Sequence, residues 1–176
     1  MRYLCTTGLF GLCLLTTTAL ADIPQGLKLA GQGDGLYKGI IKVYRAELTS
    51  SPQAKRATIL NPEVSRCLKL QYAVDLGADK FILAANTVLK RQQDAQTLQR
   101  LQPQLEQLHG SYQNVKAGDV YRLCYNAANQ TLLLQLNDKT LTHLQAPELA
   151  SAYFGIWLSD NNPLAQRLQE DLLQHL

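Results

Sequence analysis

The sequence predicts an α+β fold in which helices cover one face of an antiparallel β-sheet. Two observations lead to this class. Segments with alternating apolar and polar residues, which is the pattern of strands, come in runs along the chain. Segments with apolar residues at helical spacing separate those runs and close the chain. The resulting order is two strands, helices, three strands and helices, an arrangement typical of α+β domains.

Residues 1–21 have the features of a secretory signal peptide. A positive charge at Arg2 precedes a short apolar stretch, and the small-residue motif ALA at positions 19–21 resembles a cleavage site. The apolar stretch is shorter than the roughly 20 residues that cross a bilayer as a helix. We therefore expect an exported protein, periplasmic or secreted, whose residues 22–176 form a single domain without an integral membrane segment.

The first two predicted strands lie in the N-terminal half. Residues 37–45 alternate in character and predict a strand, whereas the preceding segment AGQGDGLY at 30–37 predicts a turn. Its glycines do not form a phosphate-binding loop, because the strand-then-helix context and the Lys-Ser/Thr ending are missing. The second strand is predicted over 65–74, with Leu68, Leu70 and Tyr72 on one face.

Helical spacing follows in two segments. In residues 77–92, an apolar stripe predicts a helix whose last turn carries Lys90 and Arg91, as suits a helix C-terminus. In residues 97–112, leucines recur at helical intervals, but Pro103 interrupts them. This segment therefore predicts either a kinked helix or a short helix that restarts at the proline.

Residues 116–144 predict a three-stranded meander with turns at 126–129 and at Asn137-Asp138. A helix is predicted to begin at Pro147 and to end before the polar segment SDNNP. After it, Asn162 is predicted to cap a last helix with Pro163 in its first turn and leucines along one face.

Composition excludes several classes of function. The chain has a formal net charge of +3 with its lysines and arginines scattered, so no basic stripe predicts a nucleic-acid partner. His109, His143 and His175 lie far apart without metal-ligand spacing, and we interpret them as solvated surface residues. No nucleophile motif or cofactor-binding fingerprint is present, so the sequence predicts neither a metal nor a cofactor.

Cys67 and Cys124 each lie in a predicted strand, on the side opposite the main apolar row. Two thiols on the outer faces of neighbouring strands can form a cross-strand disulfide, and an oxidising compartment favours this pairing. The alternative is a pair of unbonded buried thiols.

Four segments carry a resemblance to a known family: GDGLYKGIIKVYRAELT (33–49), CLKLQYAVDL (67–76) leading into a helix, NVKAGDVYRLCYN (114–126) and FGIWLSDNNPLAQRLQEDLL (154–173). With these segments the chain resembles the chalcone isomerase-like proteins, in particular their exported bacterial branch. The resemblance implies an open-faced β-sandwich, in which helices lie on a large antiparallel sheet with a cleft between them. Members include isomerases that close a flavonoid ring and relatives that bind fatty acids without catalysis.

The resemblance also implies where the isomerase's catalytic groups would lie. Its cleft threonine matches Gly39 and its catalytic tyrosine matches Phe81. The lysine and asparagine that follow match Ala84 and Val88, and the threonine of the late helix matches Ala152. Every one of these positions lacks the polar side chain of the enzyme.

Ring closure requires hydrogen-bond donors aimed at the oxygen on which negative charge develops. The family's upstream arginine falls near Leu27 or Lys28, where no arginine occurs, and a shifted alignment through Asn86 or Thr87 restores only part of the set. We therefore predict that this protein is not a chalcone isomerase.

The first functional hypothesis is a non-catalytic binder of an apolar or amphipathic small molecule such as a fatty acid. Its cleft would be lined by Tyr37, Gly39, Ile41, Phe81, Ala84, Val88, Ala152 and Ile156. The alternative is that these small and apolar side chains close the cleft as core. A carboxylate ligand would need a cation, for which Arg45, Lys38 and Lys42 are the nearest candidates.

Two other hypotheses remain at the level of sequence. An isomerase or lyase could use Tyr37, Tyr44 and Asn86, since tyrosine hydroxyls can donate to a developing oxyanion. A ligand-free interaction module is the other alternative. Trp157, the single tryptophan of the chain, is interpreted as a core residue that anchors its helix against the sheet.

Overall fold

A computed structural model describes residues 23–176, so the signal-peptide prediction lies outside the described residues. The strands form one six-stranded antiparallel sheet whose spatial order is their order in the chain. Four helices complete the described part, and the predicted α+β class is confirmed. The elements are β1 (Lys28–Tyr37), β2 (Ile41–Ser50), β3 (Arg66–Tyr72), α1 (Ala78–Gln92), α2 (Ala95–Gly110), β4 (Val120–Asn126), β5 (Thr131–Leu136), β6 (Lys139–Gln145), α3 (Pro147–Leu158) and α4 (Gln166–Leu172).

Strand β1 corrects the prediction of a turn over residues 30–37. Gly31, Gly33 and Gly35 all lie on the buried side of this strand. A Cβ atom at Gly31 would lie 2.2 Å from the backbone oxygen of Asp171, and one at Gly33 would lie 2.8 Å from the Asp171 Cβ. Gly31 and Gly33 are therefore present because α4 packs directly onto the strand backbone, and a strand face built largely of glycine leaves no apolar row to recognise.

The predicted strand over residues 37–45 is in fact a hairpin. Strand β1 ends at Tyr37 and β2 begins at Ile41, and the backbone N–H of Ile40 donates to the Tyr37 carbonyl at 3.2 Å. Lys38 and Gly39 have φ angles of 50° and 76°, which is the left-handed pair that a tight hairpin turn requires. The turn escaped prediction because isoleucines and a tyrosine surround its single glycine.

The helical predictions are confirmed in most respects. Helix α1 buries Ala85, Val88 and Leu89 and partly buries Phe81. Helix α2 continues through Pro103, so the alternative of a helix that restarts at the proline is wrong. Helix α3 begins at Pro147 as predicted. The exception is α4, which begins at Gln166 after Ala165; Asn162 lies in the preceding loop with a φ of 47° and does not cap the helix.

The two faces of the sheet differ in their cover. On the helix-covered face, leucines and tyrosines of β2 to β5 form the main core with the helices. On the open face, Cys67 and Cys124 are cross-strand partners and form the predicted disulfide, with an S–S distance of 2.03 Å. Leu133 packs against them, together with Ile23 and Leu27 from the N-terminal segment.

Arg66 is fully buried in a filled part of the core, which we call the dense region. Its guanidinium lies between the rings of Tyr125 and Phe154, with its central carbon 4.9 Å and 4.8 Å from the ring centroids. One terminal nitrogen donates to the carbonyls of Asn61 and Val64 at 2.9 Å and 2.8 Å. Burial lowers the pKa of Arg66 to about 10, so the side chain remains charged at neutral pH.

Candidate functional site: a cavity between the sheet and the helices

A cavity of about 370 Å³ lies between the helix-covered face of the sheet and helices α1, α3 and α4. This volume is in the range of pockets that hold small molecules. Its wall is mostly apolar and aromatic, and includes Val43, Leu68, Leu70, Leu76, Phe81, Leu123, Leu134, Ile156, Leu164 and Leu168.

A second, outer cavity adjoins the first and opens at the surface between α1 and the start of β2. It has a volume of about 650 Å³. The two cavities share part of their walls, so they form one cleft with an inner and an outer part. The shared wall consists of Tyr37, Val43, Leu76, Lys80, Ala84 and Leu164.

Tyr44 and Trp157 join the sheet to α3 on the wall of the inner cavity. The Trp157 indole N–H donates to the Tyr44 hydroxyl at 3.0 Å. The Tyr44 ring lies over Gly35 of the neighbouring strand, so closely that a Cβ at that glycine would be 2.3 Å from the ring. Trp157 thus anchors its helix against the sheet, as the sequence suggested, but it is only partly buried and borders the cavity.

Other tyrosine hydroxyls on this wall have protein partners. The Tyr121 hydroxyl donates to the Gln113 carbonyl at 2.9 Å and accepts from the backbone N–H of the same residue at 2.8 Å. The Tyr153 hydroxyl donates to the Tyr112 hydroxyl at 3.1 Å. These bonds fix the rings, which leaves their faces to border the cavity.

Tyr72 differs from its neighbours. Its side chain is 5% exposed and lines the inner cavity, with ring centroids 5.8 Å from Tyr44, 5.3 Å from Phe81 and 6.1 Å from Tyr121. Among residues 23–176, no protein group forms a hydrogen bond with its hydroxyl. The ring is buried but the hydroxyl oxygen reaches the cavity space, so it can donate a hydrogen bond to a polar atom of a bound molecule.

The buried tyrosines remain neutral at physiological pH. Burial raises the pKa of Tyr44 to about 12 despite the opposing hydrogen bond from Trp157. Burial also raises the pKa of Tyr72 well above its usual value, and the neighbouring tyrosines act in the same direction. These hydroxyls can therefore donate hydrogen bonds, but they cannot act as bases near neutral pH.

Two lysines border the inner cavity. Lys38 lies in the hairpin turn and Lys80 in the first turn of α1. The Lys80 ammonium pairs with Asp79 at 3.0 Å, and the Lys38 ammonium lies 5.4 Å from the centroid of the Tyr37 ring. Arg45, which the sequence offered as a cation for the ligand, instead pairs with Asp34 at 3.4 Å and borders neither cavity.

The structure brings together most of the cleft residues expected from the sequence. Phe81 and Ile156 line the inner cavity, Ile41 and Val88 line the outer one, and Tyr37 and Ala84 line both. Two positions need correction. Gly39 lies in the exposed hairpin turn, where a Cβ would meet no atom within 4 Å, and Ala152 is buried within the helix layer, away from both cavities.

Sequence reasoning missed Lys80, Tyr72, Tyr112 and Tyr121. Nothing in their local sequence distinguishes them from ordinary helix, strand and loop residues, and only the pairing of β3 with β4 places Tyr72 and Tyr121 on one wall. His109 also differs from expectation: it is partly buried, with its ring centroid 5.9 Å from that of Tyr153. Burial lowers its pKa, whereas His143 and His175 are exposed as predicted.

Two features are absent from residues 23–176. No group of three histidine, cysteine, aspartate or glutamate residues in this part is placed to hold a metal ion. No helix in the same part is both long and apolar enough to cross a membrane.

Comparison with known proteins agrees with the fold. A family model described as chalcone isomerase-like matches residues 11–174. A crystal structure of a fatty-acid binding protein from Arabidopsis thaliana has a similar fold, with a TM-score of 0.62 and 14% sequence identity. The match covers 86% of this chain and 88% of that protein. No curated protein sequence matches the chain.

Proposed function

Since the chain belongs to the chalcone isomerase-like family, we propose that it is a non-catalytic binding protein for an apolar or amphipathic small molecule, such as a fatty acid. The observation that carries this proposal is the cavity of about 370 Å³ between sheet and helices, with its apolar wall and its opening to the surface. The similar fold of a fatty-acid binding protein supports the same class of ligand.

The wall suggests how such a ligand would lie. An alkyl chain would contact the side chains of Leu68, Leu123 and Leu134, where each buried CH₂ group contributes about 0.8 kcal/mol. The polar end would accept a hydrogen bond from the free Tyr72 hydroxyl. Lys38 and Lys80, which border the same cavity, would offset the charge of a carboxylate.

Loss of the isomerase's polar groups supports a role without catalysis. The positions matched to its catalytic tyrosine, lysine and asparagine carry Phe81, Ala84 and Val88, which donate nothing through their side chains. An enzyme built on Tyr37, Tyr44 and Asn86 has less support. Asn86 borders neither cavity, and the pKa of about 12 keeps Tyr44 from acting as a base at neutral pH.

Export belongs to the same proposal. The disulfide between Cys67 and Cys124 is of a kind that persists in oxidising compartments, which supports a periplasmic or secreted protein. Mass spectrometry of the protein recovered outside the cytoplasm tests this directly. We expect a chain that begins at Asp22, and recovery of the full-length chain only from the cytoplasm would contradict export.

Fluorescence of Trp157 offers the test of binding, because it is the single tryptophan of the chain and borders the cavity. Titration of purified protein with dodecanoic acid is expected to change its emission in a saturable way. Native mass spectrometry of the same mixture should show a one-to-one complex. Emission that does not respond, with no complex in the mass spectrum, would contradict the proposal.

A matched pair of variants locates the site. Ala84 borders both cavities on an exposed part of α1, so Ala84→Phe should narrow the cleft and weaken dodecanoic acid binding about tenfold or more. Ala95 is equally exposed on α2 and borders neither cavity. Ala95→Phe should therefore bind as the unmodified protein does, and equal effects of the two substitutions would place the ligand elsewhere.

A further inference from the structure

Exposed large apolar side chains are concentrated at the mouth of the cleft. In the part of the chain that the structure describes, such residues occur at Leu29 and in one cluster around the β1–β2 hairpin and α1. We call this cluster the mouth rim. It consists of Leu36, Tyr37, Ile40, Ile41, Leu83 and Leu164.

The rim projects its largest apolar groups into solvent. Ile40 is 81% exposed at the tip of the hairpin, and Leu83 on α1 is 64% exposed. All rim residues except Ile40 also line one of the cavities, and Ile40 adjoins Ile41, which does. A contiguous exposed apolar patch of this kind marks an interaction surface rather than an ordinary part of a protein surface.

Lysines flank this apolar patch. Lys38 lies in the hairpin turn and has no carboxylate partner within residues 23–176. Lys42 pairs with Asp34 at 2.9 Å and Lys80 with Asp79 at 3.0 Å, both as exposed pairs that contribute little and dissociate readily. Three lysines against two carboxylates give the rim a positive balance, which Arg45 beside Asp34 increases.

We propose that the mouth rim docks on the surface of a bilayer containing anionic phospholipids. Apolar tips that enter the interface, a tyrosine at its boundary and lysines directed at anionic headgroups are the features that hold a peripheral protein on such a surface. The cleft opens within this same patch, so a lipid-like ligand could pass between bilayer and cavity without crossing water. This last step, the exchange of ligand, rests on the proposed function, whereas docking itself does not.

Sedimentation with vesicles tests docking. The protein is mixed with vesicles of phosphatidylcholine alone or of phosphatidylcholine with phosphatidylglycerol, without added fatty acid. We expect it to sediment with the anionic vesicles more than with the neutral ones, and added salt should reduce this binding. Protein that stays in solution with both compositions would overturn the proposal and leave the rim as a surface for another protein.

Variants at exposed positions locate the docking surface without endangering the fold. Ile40→Ser is expected to reduce partitioning onto anionic vesicles about tenfold. This is the effect expected when one isoleucine side chain is no longer transferred from water into the bilayer. Lys38→Asn removes the unpaired charge and suits the φ of 50° at this position, so it should weaken binding to anionic vesicles but not to neutral ones.

Leu29→Ser is the control, because Leu29 is 45% exposed at the opposite end of β1. If Leu29→Ser weakened binding as much as Ile40→Ser, the rim would not be the docking surface.

A parallel titration separates this inference from the proposed function. Dodecanoic acid is titrated into the Ile40→Ser variant in the absence of vesicles, with Trp157 emission as the signal. Unchanged fatty acid binding together with lost vesicle binding supports docking by the rim. Vesicle binding by a protein that does not bind dodecanoic acid would contradict the proposed function and leave docking intact. In the unmodified protein, fatty acid binding without vesicle binding would overturn docking alone.

Discussion

Two regions under the same helix layer treat a buried polar group in opposite ways. Around Arg66 the interior is filled, and the guanidinium donates to backbone carbonyls and stacks between Tyr125 and Phe154. Around Tyr72 lies the inner cavity, and we call these surroundings the open region. The Tyr72 hydroxyl has no partner within residues 23–176, although the ring is buried. The terminal nitrogens of Arg66 are bonded to the backbone and serve the fold, although its Nε has no partner within residues 23–176, whereas the Tyr72 hydroxyl beside the cavity is available to a ligand.

Replacement of Arg66 should have the largest effect on stability. Arg66→Met leaves the Val64 carbonyl without its side-chain donor, at roughly 1–3 kcal/mol, and removes one of the two donors of the Asn61 carbonyl and two cation–π contacts. We expect the free energy of unfolding to fall by about 2–4 kcal/mol in urea denaturation. Dodecanoic acid affinity of the folded fraction should not change. A loss below about 1 kcal/mol would show that the arginine is not required by the dense region.

Gly35 tests the open region by adding one methyl group. In Gly35→Ala, the new Cβ would lie 2.3 Å from the Tyr44 ring, which must then move. Such overpacking costs about 1–3 kcal/mol, and the displaced ring should also weaken dodecanoic acid binding, measured by Trp157 emission. Gly110→Ala is the control, because a Cβ there meets nothing within 4 Å. Equal losses of stability in the two variants would argue against close contact between Gly35 and Tyr44.

The same comparison shows which features the sequence could reveal. Helices α1 and α3, strand β3 and the disulfide were predicted, because each leaves a local pattern or a recognisable residue type. Strand β1 was missed because Gly31 and Gly33 are explained only by α4, which lies far along the chain. The role of Tyr72 could not be predicted either, since its distinguishing feature is the absence of a partner for its hydroxyl.

The cleft shows the same limit. Phe81, Ala84 and Ile156 were placed correctly on its wall by resemblance to the family. Gly39 was misplaced because the hairpin turn falls at the point where a continuous strand was expected. Lys80 was not considered, because the direction in which a helix presents its first turn depends on packing against the sheet.

Alkaline pH should distinguish the buried tyrosines of the open region. Tyr44 has a pKa of about 12 in the folded state, against 10.0 for an unperturbed tyrosine. A pKa that is raised on folding means that the stability contribution is complete below pH 10 and is lost as pH rises toward 12. The free energy of unfolding should therefore be steady from neutral pH to pH 10 and decline above it.

Tyr44→Phe removes one of the groups responsible for this decline. The variant should lose about 1 kcal/mol at neutral pH, because the Trp157 indole loses its acceptor. Its further loss between pH 10 and 12 should be smaller than that of the unmodified protein. Urea denaturation across this range provides the measurement, and identical declines for the two proteins would contradict the raised pKa of Tyr44.

The most direct test compares two tyrosine hydroxyls, one from each region. The Tyr125 hydroxyl donates to the Pro62 carbonyl at 3.0 Å in the dense region, whereas the Tyr72 hydroxyl is free beside the cavity. Dodecanoic acid affinity and the free energy of unfolding are measured for Tyr72→Phe and Tyr125→Phe. We predict that Tyr72→Phe weakens binding about fivefold with stability unchanged, and that Tyr125→Phe lowers stability by about 1 kcal/mol with binding unchanged. Unaltered binding in Tyr72→Phe, or equal effects of the two substitutions, would contradict the assignment of the open region to a ligand.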